Sequence, residues 1–465
     1  MQLKKIGKMM TSVMLCAAVV LTSGIPGVPA VAAKDADSLT GNGKTAKNVI
    51  VMISDGMGYN QVAAADYYTY GRSGSQIYEK FPTILGMSTY SLENQGTAAD
   101  DGAYDPLKAW SDFYYPMQKS TDSAAAGTAM STGTKTYDAA IGVDDEELDL
   151  SHMTEEFEAQ GKSTGVISSV EFSHATPASF VAHNASRNNY SDIANEMIRD
   201  SATDVIMGAG NPLFDDNGNV KTTGSYKYVG GADTWNQLVN GTLEAADADG
   251  DGESDPWTLI QTKAEFEALQ TGETPDRLIG VPQVYTTLQQ ARGGDQKADA
   301  YEVAFNDNVP SLDIMAKGAL NVLDHNEEGF FLMIEGGAVD WASHANQSGR
   351  LIEEQADFNQ AVEAVCDWVE ENSSWSETLL IVTGDHETGY LTGTAGVNDS
   401  VVNLGTGTMP QMAWNSGDHT NALIPFYAKG KGAELFKKLA DEVDPVRGAY
   451  LDNTELSAAI RQLTD

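Results

Sequence analysis

Five short apolar runs constrain most strongly how this chain can fold: 48–54 (NVIVMIS), 163–170 (STGVISSV), 204–207 (DVIM), 329–335 (GFFLMIE) and 378–383 (TLLIVT). Each is too short for an ordinary helix and rich in β-branched or aromatic side chains. Their apolar residues run on continuously, the pattern of a strand buried on both faces. Segments with helical spacing lie among them, at 153–160, 193–200, 311–323, 352–371 and 434–443. Strands alternating with helices predict an α/β fold around a mostly parallel sheet, because parallel neighbours need a long crossover and a helix supplies it. In such sheets ligands sit beyond the carboxyl ends of the strands. Three of the five runs end at an acid there: Asp55, Glu335 and Asp385. One acid would be a loop residue or a helix cap; three at strand exits point to a shared site.

Charge and length narrow the partners. The chain has 465 residues and a formal net charge of −39. Docking on nucleic acid or anionic lipid needs clustered Lys and Arg, so both are excluded as partners. Residues 1–32 form a separate object: Lys4, Lys5 and Lys8, then an apolar run over 9–21, then small residues ending in Ala30-Val31-Ala32. That order predicts a secretory signal peptide and a secreted or periplasmic protein. The run falls short of the ~20 residues a span needs, so no membrane span is expected once the leader is removed. Cys16 follows the bulky Leu15, which disfavours lipidation, and its loss leaves Cys366 alone, so no intrachain disulfide can form. Residues 33–465 are expected to form one domain. Within it, roughly 211–296 is Gly/Asp-rich, breaks the strand–helix rhythm and reads as an insertion. This stretch contains Asp247, Asp249, Asp251 and Asp255 in a D-x-D-x-D-G-x-x-D pattern, the alternating oxygens of a Ca²⁺ loop. Thr258 stands where an EF-hand places its glutamate, so a calcium loop and a solvated acidic turn both remain open.

Only seven histidines are present, and three sit beside or near an aspartate in short polar contexts. Asp340 and His344 are four apart, on one face of a helical turn. Asp385-His386 follows the 378–383 run, and His419 lies in SGDHT. Imidazole with carboxylate suits Zn²⁺, whereas an all-oxygen set suits Mg²⁺ or Ca²⁺, and the chain offers both. Ser123 opens a run of small helix-formers, placing it near a helix N-terminus where free N–H groups favour an anion. Arg187 lies in a stretch of low charge, and its fork suits a phosphate or oxyanion clamp. No G-x-S-x-G elbow and no P-loop pattern occurs, so acyl transfer and nucleotide cradling lack support.

Taken together these motifs resemble the alkaline phosphatases, over about 48–430. The matching segments, in order, are DGMG from Asp55, TDSAAAGTAMSTGTKT over 121–136, HATPASFVAHNASR over 174–187, EGGAVDWASH over 335–344, TGDHETG over 383–389 and GDHT over 417–420. The resemblance implies an α/β/α sandwich, two zinc ions and one magnesium, and hydrolysis of small phosphomonoesters. Carried over residue by residue, Ser123 would be the phosphorylated nucleophile. Asp340, His344 and His419 would bind the first zinc, and Asp55, Asp385 and His386 the second. Asp55 would also bridge to magnesium, with Thr176 and Glu335 completing its protein ligands. Arg187 would hold two phosphate oxygens, oriented by Asp122. Two positions depart from the enterobacterial pattern: His174 replaces an aspartate and Trp341 a lysine. His174 is expected to reach the magnesium shell through water, and Trp341, removing a cation, implies weaker phosphate retention. Family members include dimers and monomers, so a homodimer is left open.

Two other readings compete. A phosphodiesterase or sulfatase of the same superfamily would share the metal-bearing fold, but such relatives usually lack the Asp122-Ser123 run. An acidic extracellular calcium-binding protein would fit the charge and the loop over 247–255 but leaves the histidines unexplained.

Overall fold

The computed structural model describes residues 45–464, apart from 93–95, 98–99, 102 and 249–251. The expected leader, and with it Cys16, therefore lies outside the described residues. An eleven-stranded sheet runs through the centre. In chain order its strands are β1 (Asn48–Ser54), β2 (Thr83–Ser88), β3 (Ser163–Glu171), β4 (Val205–Ala209), β5 (Thr258–Ile260), β6 (Leu278–Gly280), β7 (Phe330–Gly336), β8 (Thr378–Thr383), β9 (Ile424–Gly430), β10 (Glu442–Asp444) and β11 (Gly448–Asp452). Their spatial order is β10-β11-β2-β9-β8-β1-β7-β3-β4-β6-β5. All neighbours from β8 to β5 pair in parallel, and antiparallel pairing is confined to β9 and β10.

The helices that matter for the site are α1 (Tyr59–Tyr70), α2 (Ser123–Thr132), α3 (Met153–Glu158), α4 (Ala175–Ala178), α5 (Tyr190–Asn195), α6 (Leu312–Leu323), α7 (Ala338–His344), α8 (Ser348–Asn372) and α9 (Thr454–Thr464). Alternation sorts the two faces of the sheet. Ile50 and Met52 of β1, Leu332 and Ile334 of β7, and Leu380 and Val382 of β8 join one core with Leu320 of α6 and Phe358, Val362 and Val365 of α8. Val49, Val51 and Ile53 face the other way and are equally buried. The helices α2, α3, α4 and α9 cover that second face. The central strands are thus apolar throughout because both faces are covered. No helix among the described residues is long and apolar enough to cross a membrane.

The segment 211–296, expected as an insertion within the domain, supplies two strands: β5 and β6 pair in parallel at the sheet edge beside β4. Three-residue strands carry too few apolar positions to register as runs. The helix expected over 434–443 shrinks to four residues, Phe436–Leu439, and gives way to β10. Asp444 turns the chain there, its Oδ1 accepting the Val446 and Arg447 N–H groups at 2.8 and 2.7 Å. That local capping favours a hairpin over continued helix. In the acidic loop, Asp247 Oδ2 accepts Gly252 N–H at 2.8 Å and Asp255 Oδ2 accepts Ala248 N–H at 2.7 Å. Asp249 and Asp251 fall outside the described residues.

Candidate active site

The carboxyl ends of β1, β7 and β8 meet at one place. In the β1–β7 ladder Ile53 pairs with Glu335, and in the β1–β8 ladder Ile53 pairs with Thr383. Asp55 leaves β1 one residue past its end, and Asp385 leaves β8 two residues past. Gly56 supplies the turn between them and α1: its φ is +77°, and a Cβ there would lie 2.9 Å from Asp340 Cα. Asp340 and His344 occupy one face of α7, as their spacing predicts. His386 and His419 come from opposite sides of a two-stranded ladder that pairs Glu387 with Thr420 and Thr388 with His419.

Asp340, His344 and His419 converge tightly. His344 Nε2 lies 3.0 Å from His419 Nε2 and 3.3 Å from Asp340 Oδ1, and His419 Nε2 lies 3.5 Å from the same oxygen. The far nitrogens fix the tautomers. His344 Nδ1 donates to Gly417 O at 2.6 Å and His419 Nδ1 to Thr121 O at 2.8 Å. A neutral imidazole has one proton, so both Nε2 atoms then present lone pairs to each other and to a carboxylate. Three electron-rich atoms face one another here, as they would around a cation.

A second group lies beside it. His386 Nε2 is 3.2 Å from Asp385 Oδ2, 3.5 Å from Asp55 Oδ1 and 3.1 Å from Ser123 Oγ. Thr388 Oγ1 donates to Asp340 Oδ1 at 2.6 Å, so it accepts from His386 Nδ1 at 3.2 Å. One hydroxyl therefore orients a ligand in each group, the arrangement that outer partners of metal sites provide. Asp385 Oδ1 is occupied by the Gly56 and His386 N–H groups at 3.1 and 2.9 Å. Its Oδ2, both Asp55 oxygens, Glu335 Oε1 and Thr176 Oγ1 are buried without a hydrogen-bond partner. Buried polar atoms are nearly always satisfied, so five orphans around one point call for a bound group.

The electrostatics agree. Burial first, then the crowding of neighbouring carboxylates, pushes Asp55 and Asp385 above the usual carboxylate range, and burial does the same to Glu335. Burial, His419, His344 and Arg187 hold His386 neutral, and burial, Arg187 and Lys227 do so for His174. Deprotonated imidazoles beside carboxylates whose charges are poorly compensated are what bound cations would reverse. His174 stands with Asp55 and Glu335 in a third group close enough to share an ion.

Ser123 is the first residue of α2 and is buried, with Asp122 as N-cap accepting Ala125 N–H at 2.9 Å. The same Asp122 binds Arg187 Nη1 at 2.9 Å, and Arg187 Nη2 lies 3.3 Å from His174 Nε2. A cavity of about 560 Å³ opens over these groups, lined by Ser123, His174, Arg187, Gln290, Asp340, Trp341, His344, Ala345 and His419. Trp341 meets the His174 ring at 5.7 Å, edge to face. The structure thus brings the candidate metal and phosphate-binding residues together around Ser123, and of the acidic loop the described Asp247 and Asp255 do not line this cavity. Sequence reading missed three contributors. Thr388 lay inside a quoted motif without a role, and Ser168, whose hydroxyl donates to Glu335 Oε2, sat in a strand read only for its apolarity. Gln290, whose Nε2 donates to Gln347 Oε1 at 2.8 Å, sits in the segment read as an insertion, and no local signal marks it.

Comparison with known proteins comes out on one side. A family model described as alkaline phosphatase matches residues 46–444. Alkaline phosphatase 4 of Bacillus subtilis is 28% identical, over 86% of this chain and 87% of its own length. The Escherichia coli alkaline phosphatase is 29% identical, over 86% and 84%. Among solved structures, the alkaline phosphatase of the Antarctic bacterium TAB5 superposes with a TM-score of 0.61 at 27% identity, covering 90% of this chain and 98% of its own.

Proposed function

Since the chain belongs to the alkaline phosphatase family, enzymes that hydrolyse phosphate monoesters, we propose that it does so through a phosphoserine at Ser123, in a site built for two zinc ions and one magnesium. The observation that carries this is Ser123 Oγ, at a helix N-terminus, 3.1 Å from an imidazole in a nest of orphaned ligand atoms. The donor sets sort by chemistry. Asp340, His344 and His419, and Asp55, Asp385 and His386, mix nitrogen and oxygen and suit zinc; Asp55, Thr176 and Glu335 offer oxygen alone and suit magnesium. Bound there, such ions would supply Lewis acidity and neutralise phosphoryl charge.

The chain's own groups do the rest. Arg187, braced by Asp122, offers its fork to two phosphate oxygens and aligns phosphorus with Ser123 Oγ. The free N–H groups of the first turn of α2 face the same anion. Ser123 Oγ loses its proton to water and attacks phosphorus, the ester oxygen departs opposite and takes a proton from water, and a second water later cleaves the phosphoserine, returning the serine hydroxyl and releasing phosphate. Trp341 puts an uncharged ring where a cation would hold released phosphate. We assign secretion on the 1–32 leader.

Ser123→Ala, assayed with 4-nitrophenyl phosphate, should lose about a thousandfold or more in kcat and trap no phosphoenzyme on acid quench, as removal of a nucleophile does. Chelation should abolish activity and zinc with magnesium restore it, and metal content should approach two zinc per chain. Full activity in the alanine variant refutes the nucleophile. Calcium as the only bound metal favours the calcium-binding reading.

A further inference from the structure

A band of rings runs on from His174, outside the residues that line the cavity: Tyr190 lies 6.4 Å from His174, Tyr228 meets Tyr190 edge on at 5.0 Å, and Tyr285 follows at 5.2 Å. Lys227 Nζ sits 4.0 Å above the Tyr190 centroid and 4.9 Å from that of Tyr228. Ring faces attract the ammonium and hold it up without consuming its N–H donors. The backbone beneath is pinned from two sides: Ser191 Oγ donates to Lys227 O at 3.1 Å, and Ser173 Oγ, next to His174, donates to Tyr228 O at 3.0 Å.

Lys227, like Lys221 over the Tyr285 ring, contrasts with the ion-paired lysines of the chain. Lys135, Lys317 and Lys429 each meet a carboxylate within 4.0 Å. Among the described residues Lys227 has no carboxylate oxygen within 4.0 Å, and its charge acts on buried Glu171, in a protein with 67 acidic residues against 28 basic ones. A net charge of −39 repels anions at long range, so a cation on the rings that run on from His174 offsets it locally. Its charge is felt at His174.

We propose that Lys227, presented by Tyr190 and Tyr228, is a leaving-group subsite that favours phosphomonoesters carrying a second anionic group, such as sugar bisphosphates. The subsite rests on the phosphomonoesterase reading. A second phosphate that reaches the exposed Lys227 ammonium gains a charge-assisted hydrogen bond, for which a gain of about three- to fivefold in kcat/KM is expected.

The experiment compares kcat/KM for a hexose 1,6-bisphosphate and the matching 6-phosphate in the full enzyme, in Lys227→Met and in Lys227→Arg. The bisphosphate preference should fall about three- to fivefold in the methionine variant, through KM, and survive in the arginine variant. It should fade as salt rises. Activity on 4-nitrophenyl phosphate should stay within about twofold of the parent, as expected when the phosphate clamp is untouched. An unchanged preference in Lys227→Met overturns the subsite, and so does an equal loss on all three substrates, which would make Lys227 a prop for the tyrosines. If the parent hydrolyses none of the three, the phosphomonoesterase reading falls and takes the subsite with it.

Discussion

Asp122 does two things with one carboxylate. One oxygen caps α2 through Ala125 N–H at 2.9 Å, and the other braces Arg187 at 2.9 Å. The two roles separate by substitution, because asparagine caps helices about as well as aspartate but carries no charge. Asp122→Asn should leave the thermal midpoint nearly unchanged, whereas Asp122→Ala should cost about 1 kcal/mol. Both should raise the inhibition constant for inorganic phosphate severalfold, since Arg187 loses its anchor. A phosphate constant that stays put in both variants would show that Arg187 does not need Asp122. At this scale the sequence was most informative. The acids at strand ends, the four-residue Asp340–His344 spacing and the serine opening a small-residue run could all be read locally. Thr388, Ser168 and Gln290 could not, because a hydroxyl or amide takes its role from partners far away in the chain.

Helix α2 shows how an element can be built for closeness. Every one of its residues is buried, and Ala124, Ala125, Ala126 and Ala129 carry almost no side chain. At Gly127 an added Cβ would lie 2.2 Å from Ser179 Oγ and 3.1 Å from Ser179 Cβ. Ser179 Oγ donates to Thr176 O at 2.8 Å, so the displaced residue adjoins a candidate magnesium ligand. Glycine to alanine within a helix ordinarily gains up to about 1 kcal/mol, whereas overpacking costs about 1–3 kcal/mol. Overpacking should win, so Gly127→Ala should lower the denaturant midpoint and reduce activity. A stabilised variant would show that α2 and the segment after α4 have room to part. The small-residue run predicts a tightly packed helix, but not what it packs against.

Over the whole molecule, the acids do not all lie in a solvated coat. Glu354, on α8, is 4% exposed, and its Oε1 has no hydrogen-bond partner. Burial, then Asp357 and Glu353, raise it from an ordinary 4.5 to about 8. Below pH 4.5 it is protonated in folded and unfolded chains alike and costs nothing. Between pH 4.5 and about 8 the unfolded chain ionises it first, so its contribution to stability falls as pH rises. Glu354→Gln should therefore match the parent near pH 4.5 and melt higher than the parent above pH 8, in paired thermal unfolding. A pH-independent difference would place the effect in packing. The charge count of −39 showed none of this, because composition cannot tell a buried carboxylate from a solvated one. By itself, the sequence determined the α/β class and the central strands and pointed to the candidate site residues, since β-branched runs, helix openings and strand-end acids are local patterns. Only the tertiary structure decided which acids come together, which imidazole nitrogen faces inward, that 211–296 extends the sheet and supplies Gln290, and that Lys227 lies over the Tyr190 ring. Those facts depend on distances between residues far apart in the chain, which packing sets and local spacing does not.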